Sequence, residues 1–345
     1  SFTPSQDLGD SNLSPEIKKE YEIGTDIRFF DNKVKIGYSY FYNTTDDVFF
    51  NLSLANSSGY DEIFTNAGKI ENKGMEVDLG YDIFQTEDFK INLTANWSYY
   101  RNKVLDLKGV ESIRLGGLSA VSGRAVEGYP LGVFWGTKFS RNDDGTIFLN
   151  SNGFPTLAPE NGVIGDPHPD WQGGVGTTVT WKNLNLYFLF ETYQGADIYA
   201  GTKAVLLNYG RHRDSGVETI AQKDLFDYNG GLITSGTSFR GIVHDFGTGD
   251  VALTESWYRG IGGYFSGVQE QFVEDGSWTR LREVTLSYSL RGPRFKKSTK
   301  LSSIDFSLTG RNLHIWTNFI GNDPDTNLTE AVSYTHLTLP TMAIV

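Results

Sequence analysis

Hydrophobic and polar residues alternate along this chain in runs long enough for β-strands. Tyr21, Ile23, Ile27 and Phe29 share one parity, while Glu20, Glu22, Asp26 and Arg28 take the other. A period of two puts the two sets on opposite faces of a strand. After a tight turn at Asp31-Asn32, Val34, Ile36, Tyr38, Tyr40 and Tyr42 alternate with Lys33, Lys35, Gly37 and Ser39. Met75, Val77, Leu79, Tyr81 and Ile83 oppose Glu76, Asp78, Gly80 and Asp82. Past a turn at 85–88, Phe89, Ile91, Leu93, Ala95, Trp97 and Tyr99 oppose Lys90, Asn92, Thr94, Asn96 and Ser98. Trp171, Val175, Val179 and Trp181 line one face of the next run. Across Lys182-Asn183, Leu184, Leu186, Phe188 and Phe190 do the same. Val284, Leu286, Tyr288 and Leu290 oppose Glu283, Thr285, Ser287 and Ser289. After a basic turn around 291–300, Ile304, Phe306 and Leu308 oppose Ser303, Asp305 and Ser307.

Nearly every charge falls on the polar parity of these roughly eight strands, and the apolar parity is almost charge-free. Turns of a few residues alternate with long stretches at about 104–170 and 196–277. A β-sandwich also alternates within its strands, but its loops need not be short on one side and long on the other. Short turns at one rim and long loops at the other characterise outer-membrane barrels. The predicted fold is all-β, a transmembrane antiparallel β-barrel. Arg280 and Arg282 break the pattern, because they share the parity of Val284 and Leu286. A bulge near Leu281 would shift the register. The preferred reading is that both arginines stand above the hydrocarbon, at the loop end of the strand.

Composition narrows the class. None of the 345 residues lies in an apolar run approaching the ~18 residues of a membrane helix. A mean hydropathy of −0.33 does not exclude a barrel, whose alternating strands average out as polar. Aromatic residues make up 14%, which suits the girdles of a barrel. It also suits a secreted soluble β-protein that binds or cleaves glycan; that protein would stay in solution without detergent. A net charge of −12 argues against nucleic acid as a partner. With no cysteine there are no disulfides or thiolate metal sites.

Little in the chain points to catalysis. Asp143-Asp144-Gly145 reads as a turn. Asp323, Asp325 and Asn327 begin a calcium-loop spacing but lack its later Gly and closing Glu. Asp166-Pro-His-Pro-Asp170 reads as a rigid lead into a strand. The five His are scattered, and no Gly-x-Ser-x-Gly run occurs. No catalytic residue, metal or cofactor is expected. The candidate binding residues are loop aromatics: Trp257, Tyr258, Tyr264 and Phe265. Aromatic faces stack on sugar rings. Packing within the loop, or against a lid, is the competing role.

Six runs in order resemble the SusC/RagA family of TonB-dependent outer-membrane transporters of Bacteroidota. They are 12–24, Ile70–Val77 with Asn72-Lys-Gly-Met-Glu76, Glu127–Gly136, Ile164–Trp171, 272–290 with Glu274-Asp-Gly-Ser277, and Leu308–Pro324. The resemblance spans about residues 10–329. It implies a barrel of about 22 strands filled by an N-terminal plug, with a box that recruits TonB. It also implies a SusD-like surface lipoprotein that caps the mouth and helps capture glycans or peptides. Residues 1–330 are then expected to be the C-terminal portion of the barrel, with plug, TonB box and the other strands upstream of Ser1 and the final strand missing. Residues 331–345 read as a non-native, adapter-like tail. The expected function is import of oligosaccharides or peptides through the outer membrane of a Gram-negative bacterium, not catalysis. A siderophore or other ligand receptor is the alternative within the fold.

Overall fold

The computed structural model describes residues 7–325. The tail at 331–345 and Asn327 lie outside them. Eight long strands form the frame: β1 (Ile17–Phe29), β2 (Val34–Ser53), β3 (Glu62–Gln85), β4 (Phe89–Asp106), β5 (Trp171–Trp181), β6 (Leu184–Gln194), β7 (Trp278–Arg291) and β8 (Ser303–Thr317). Each pairs antiparallel with its neighbour in sequence, and a short strand at Asp7–Gly9 runs parallel beside β3. The sheet is not closed among the described residues. Every strand expected from the alternation is present.

The ladder carries the two parities across the sheet. Ile91, Val179, Leu186, Leu286 and Leu308 stand opposite one another on five successive strands. One residue away, Asn92, Thr178, Tyr187, Thr285 and Thr309 form a polar row on the other face. β5 and β6 have 11 residues each. At about 3.4 Å per residue and a tilt near 40° they rise roughly 26 Å, the height of an apolar barrel band. Trp171 and Trp181 stand exposed at the two ends of β5, where a girdle belongs.

The short turns lie at one rim. Phe30, Asp31 and Asn32 all take positive φ, and Lys33 N–H closes the turn on Phe30 O at 3.2 Å. Asp and Asn tolerate this left-handed backbone better than most residues. The basic turn differs from expectation: it contains a helix, α1 (Pro293–Thr299), with Pro at its first turn and Lys296 and Lys297 in its last. Proline's fixed φ starts a helix, and cations complement its C-terminal dipole.

The opposite rim is built up. β2, β3 and β4 run to 20, 24 and 18 residues, well beyond the ~10 needed to span. Their outer ends bury Phe50, Ala67, Ile70, Val104 and Leu107 against Ile113 and Ala125. Asn72 is buried there, donating to Asn43 Oδ1 at 2.8 Å and accepting from Tyr100 Oη at 2.5 Å. A Cβ at Gly74 would collide with the Phe41 ring. Asn72 and Gly74 of the Asn-Lys-Gly run are thus packing requirements of the wall. The stretch 104–170 contributes a small sheet of Ser112–Gly117, Ser122–Val126, Val133–Gly136 and Gly162–Gly165. The stretch 196–277, almost aperiodic in sequence, folds with part of the first around a second core: Phe154, Ala204, Leu207, Val251, Leu253, Trp257, Tyr258 and Phe272.

Register corrects the reading of Arg280 and Arg282. Leu189 faces Glu283 but Phe190 faces Leu281, so Arg282 is the extra residue of a β-bulge. Past it the parity inverts: Leu281 joins the apolar face, and Arg280 and Trp278 turn to the polar one.

Leu286 is 42% exposed on the apolar face, and Ser287 beside it belongs to the polar face. Arginine at the lipid midplane costs roughly 2–4 kcal/mol, while lumen substitutions cost far less. In the full-length protein, Leu286→Arg should weaken the heat-modifiable gel shift over a urea series far more than Ser287→Arg. Equal losses, or the reverse order, would contradict the assigned faces.

Candidate functional site: a cavity in the loop layer

Two runs singled out in the sequence meet where the wall joins the loops. Asp275 Oδ1 accepts Ser277 N–H at 2.9 Å, Gly276 N–H donates to Ala196 O at 2.8 Å, and Ser277 Oγ accepts Gly195 N–H at 2.9 Å. Val273–Asp275 then pairs with Asp197–Tyr199. On the other side, Asp166 N–H donates to Asp197 Oδ2 at 2.7 Å, and Asp197 N–H returns to Asp166 O at 2.8 Å. Asp166 Oδ1 also receives His168 N–H at 3.0 Å and lies 2.6 Å from His168 Nδ1. Asp170 pairs with Arg101, which donates to Pro169 O at 2.6 Å. These bonds fix the loop layer to the ends of β4, β5, β6 and β7.

Above this junction lies a cavity of about 790 Å³. Phe134, Tyr193, Tyr199, Tyr264 and Trp278 give it aromatic walls, and Phe319–Asp325 forms one side. Lys203 and Asp197 also line it, and Lys203 is held by Glu274 at 2.5 Å. Gln269, 2% exposed, organises the walls. It accepts from Tyr199 Oη, donates to Tyr264 O at 2.6 Å, and through its backbone N–H reaches Thr137 Oγ1 at 2.9 Å. Trp278 stacks on Tyr193 with centroids 6.0 Å apart. Burial raises the pKa of the Tyr199 hydroxyl, with Tyr264 adding to it. Burial also raises the Asp197 carboxyl, against the opposing pull of the Asp166 N–H.

Size, aromatic walls and a few placed polar groups are what a small-ligand site needs. No cluster of His, Cys, Asp and Glu suited to a metal occurs among the described residues. Asp323 and Asp325 instead face Arg280 and Arg282. Asp144 receives Thr146 N–H within the turn at 143–145.

The four predicted aromatics divide. Trp257 and Tyr258 are 3% and 4% exposed in the loop core, where Trp257 packs on Phe154, Tyr228 and Phe246. Neither offers a free face. Tyr264 lines the cavity. Phe265 is 65% exposed, edge-on to Tyr264 and Tyr209. Tyr199, Gln269 and Trp278 were not anticipated as site residues. Trp278 was legible only as the start of a strand, and Gln269 lies in an aperiodic stretch without any pattern to mark it.

An antiparallel meander with one apolar face, short turns at one rim and a folded loop layer at the other defines part of a transmembrane β-barrel. The family of TonB dependent receptor-like β-barrels matches residues 1–313, and the chain belongs to it. It is 25% identical over 347 residues to the TonB-dependent receptor P3 of Formosa agariphila, covering 93% of this chain and 32% of that one. It is 23% identical over 330 residues to the TonB-dependent receptor SusC of Bacteroides thetaiotaomicron, covering 91% and 30%. Among solved structures, the RagAB peptide importer in its closed-closed state matches with a TM-score of 0.65 at 20% identity, over 91% of this chain and 33% of that one. The SusC/RagA resemblance is borne out, and this is a family of receptors and transporters, not enzymes. The chain spans about a third of the length of these relatives.

Asp197 gives a pH test. A raised folded-state pKa means that its contribution to stability is present at low pH and is lost as pH rises through that value. Asp197→Asn keeps an acceptor for Asp166 N–H and cannot ionise. In the full-length protein, the ratio of the urea midpoint of the heat-modifiable gel shift to that of the Asn variant should fall as pH rises above the ordinary carboxylate range. A flat ratio would contradict the assignment.

Proposed function

We propose that this chain is the C-terminal wall and loop layer of a SusC/RagA-type TonB-dependent transporter. It imports oligosaccharides or peptides across the outer membrane of a Gram-negative bacterium. A SusD-like lipoprotein covers the loop rim, and TonB engages a segment outside this chain. The supporting observation is the joining of a charge-free outer band to a folded loop layer that encloses an aromatic cavity. A soluble glycan-binding protein has no use for a row such as Ile91, Val179, Leu186, Leu286 and Leu308 facing outward. Ring faces at Tyr199 and Tyr264 suit sugar C–H faces and apolar peptide side chains alike, and the buried Trp278 backs them. In this reading Tyr264 and Phe265 meet the ligand or the lid, and Trp257 and Tyr258 support them from the core.

The test is a strain lacking the full-length gene, grown on single glycans and on peptides as sole nutrient. Growth on one class should fail, and the parent gene should restore it. The Tyr264→Ala protein should bind that nutrient roughly tenfold more weakly, equivalent to about 1.4 kcal/mol. Recovery of the protein in the soluble fraction without detergent would refute the proposal. So would undiminished growth on every nutrient.

A further inference from the structure

The bulge at Arg282 places two arginines at the back of the cavity. Asn312, on β8 opposite the bulge, takes φ 51°, and its Oδ1 accepts Arg282 Nη1–H at 2.9 Å. Arg282 Nε donates to Glu191 at 2.6 Å, and Nη1 also reaches Asp325 Oδ2 at 3.0 Å. Arg280 donates to Asp323 and stands 3.6 Å from Asp325. Both guanidinium groups lie over Trp278, 5.3 and 5.4 Å from a ring centroid. The Arg280 side chain is 7% exposed. Arg280 is the deep partner, with Asp323 and Asp325 39% and 32% exposed, so removing the carboxylates would leave its charge desolvated.

What they hold is a wall of the cavity. Phe319–Asp325 leaves the sheet after β8, with Thr317 Oγ1 donating to Ser277 O at 2.8 Å and Phe319 N–H to Thr317 Oγ1 at 3.1 Å. It then runs along the cavity to the arginines, where Asp325 N–H closes on Asp323 Oδ1 at 3.0 Å. One end is anchored by strand pairing and the other by ion pairs. Arg280 holds the Asp323 carboxyl below the usual range.

We infer that Arg280 and Arg282 are positioning residues for the ligand cavity, acting through Asp323 and Asp325 to clamp Phe319–Asp325 as its wall. The inference rests on reading the cavity as the ligand site. The clamp sets the width of the cavity from behind. A ligand meets the aromatic faces while the arginines stay occupied by carboxylates.

The test uses the full-length protein in a cysteine-free background, with Thr202→Cys and Asn322→Cys spin-labelled on two separate segments of the cavity lining. This chain has no cysteine of its own, and both positions are exposed. Electron–electron distance measurements should give one narrow distribution. It should broaden in Arg280→Met and in Asp323→Asn, which leaves β7 untouched, and narrow again in Arg280→Lys. Calorimetry with tryptic peptides and with malto-oligosaccharides supplies the second readout. Whichever mixture binds should bind about tenfold more weakly to Arg280→Met, because a loosened wall must be ordered again when the ligand arrives. The heat-modifiable gel shift should be retained. A narrow distribution in both variants overturns the clamp. Broadening with unchanged affinity overturns the positioning role. If neither mixture binds the parent, the functional reading falls, and the distances alone decide the clamp.

Discussion

Lipid offers no hydrogen bonds, so every backbone N–H and C=O in the band must be paired strand to strand. The rest of the structure follows from that constraint. Sequential strands joined by tight turns pair with least loop closure, and the observed order β1 to β8 is that meander. Because each of β2 to β7 is paired on both sides, its side chains can face only outward or inward. The charge-free parity is the chemical cost of facing hydrocarbon, and the polar parity is what the interior permits. β1 and β8 carry the free edges among the described residues. Edges of that kind are not stable in lipid, which fits a chain spanning about a third of its relatives.

The same ladder limits where the wall can hold the loops. A regular strand repeats its two faces without interruption, so a buried cation and a lipid-facing leucine cannot share a parity. The bulge at Arg282 resolves the conflict by inserting one residue. Below it Leu286 faces out; above it Arg280 and Trp278 face in. The left-handed Asn312 on β8 is the counterpart, since a side chain that tolerates positive φ relaxes the facing strand.

The wall was legible in the sequence because its physics is local. Alternation at Val284, Leu286 and Tyr288 reports a face directly, and Asp31-Asn32 reports a turn through backbone preference. Register is not local. The parity of Arg280 and Arg282 admitted a bulge or a position above the membrane, and only the pairing with Leu189 and Phe190 decides between them. The loop layer was illegible for a related reason. Phe154, Leu207, Val251 and Trp257 come from four separate stretches with no shared period. Trp257 and Tyr258 carried the right chemistry for a ligand, yet their burial was set by partners up to a hundred residues away. The Asp323–Asp325 spacing begins a calcium loop without its Gly and Glu, and nearby guanidinium groups take those oxygens.

A loop layer with its own core also changes what the barrel rim can do. Loops held only at their ends would close a cavity at a large entropic cost. Here Phe154, Val251 and Trp257 hold the layer from within, while Asp197, Ser277 and Arg101 tie it to the strand ends. The cavity therefore sits between two rigid bodies, a hydrogen-bonded wall and a packed cap. Its compliant side is the one segment that belongs to neither. Phe319–Asp325 has left the sheet, none of its side chains is in the loop core, and ion pairs hold its far end. Rigid surroundings keep the aromatic faces aligned without ligand, so less ordering is needed when a ligand arrives. A site on the rim of a barrel gains that preorganisation only if the strands beneath it cannot slip. The apolar row from Ile91 to Leu308 holds them in register, since a slip of one residue would turn that row into the lumen.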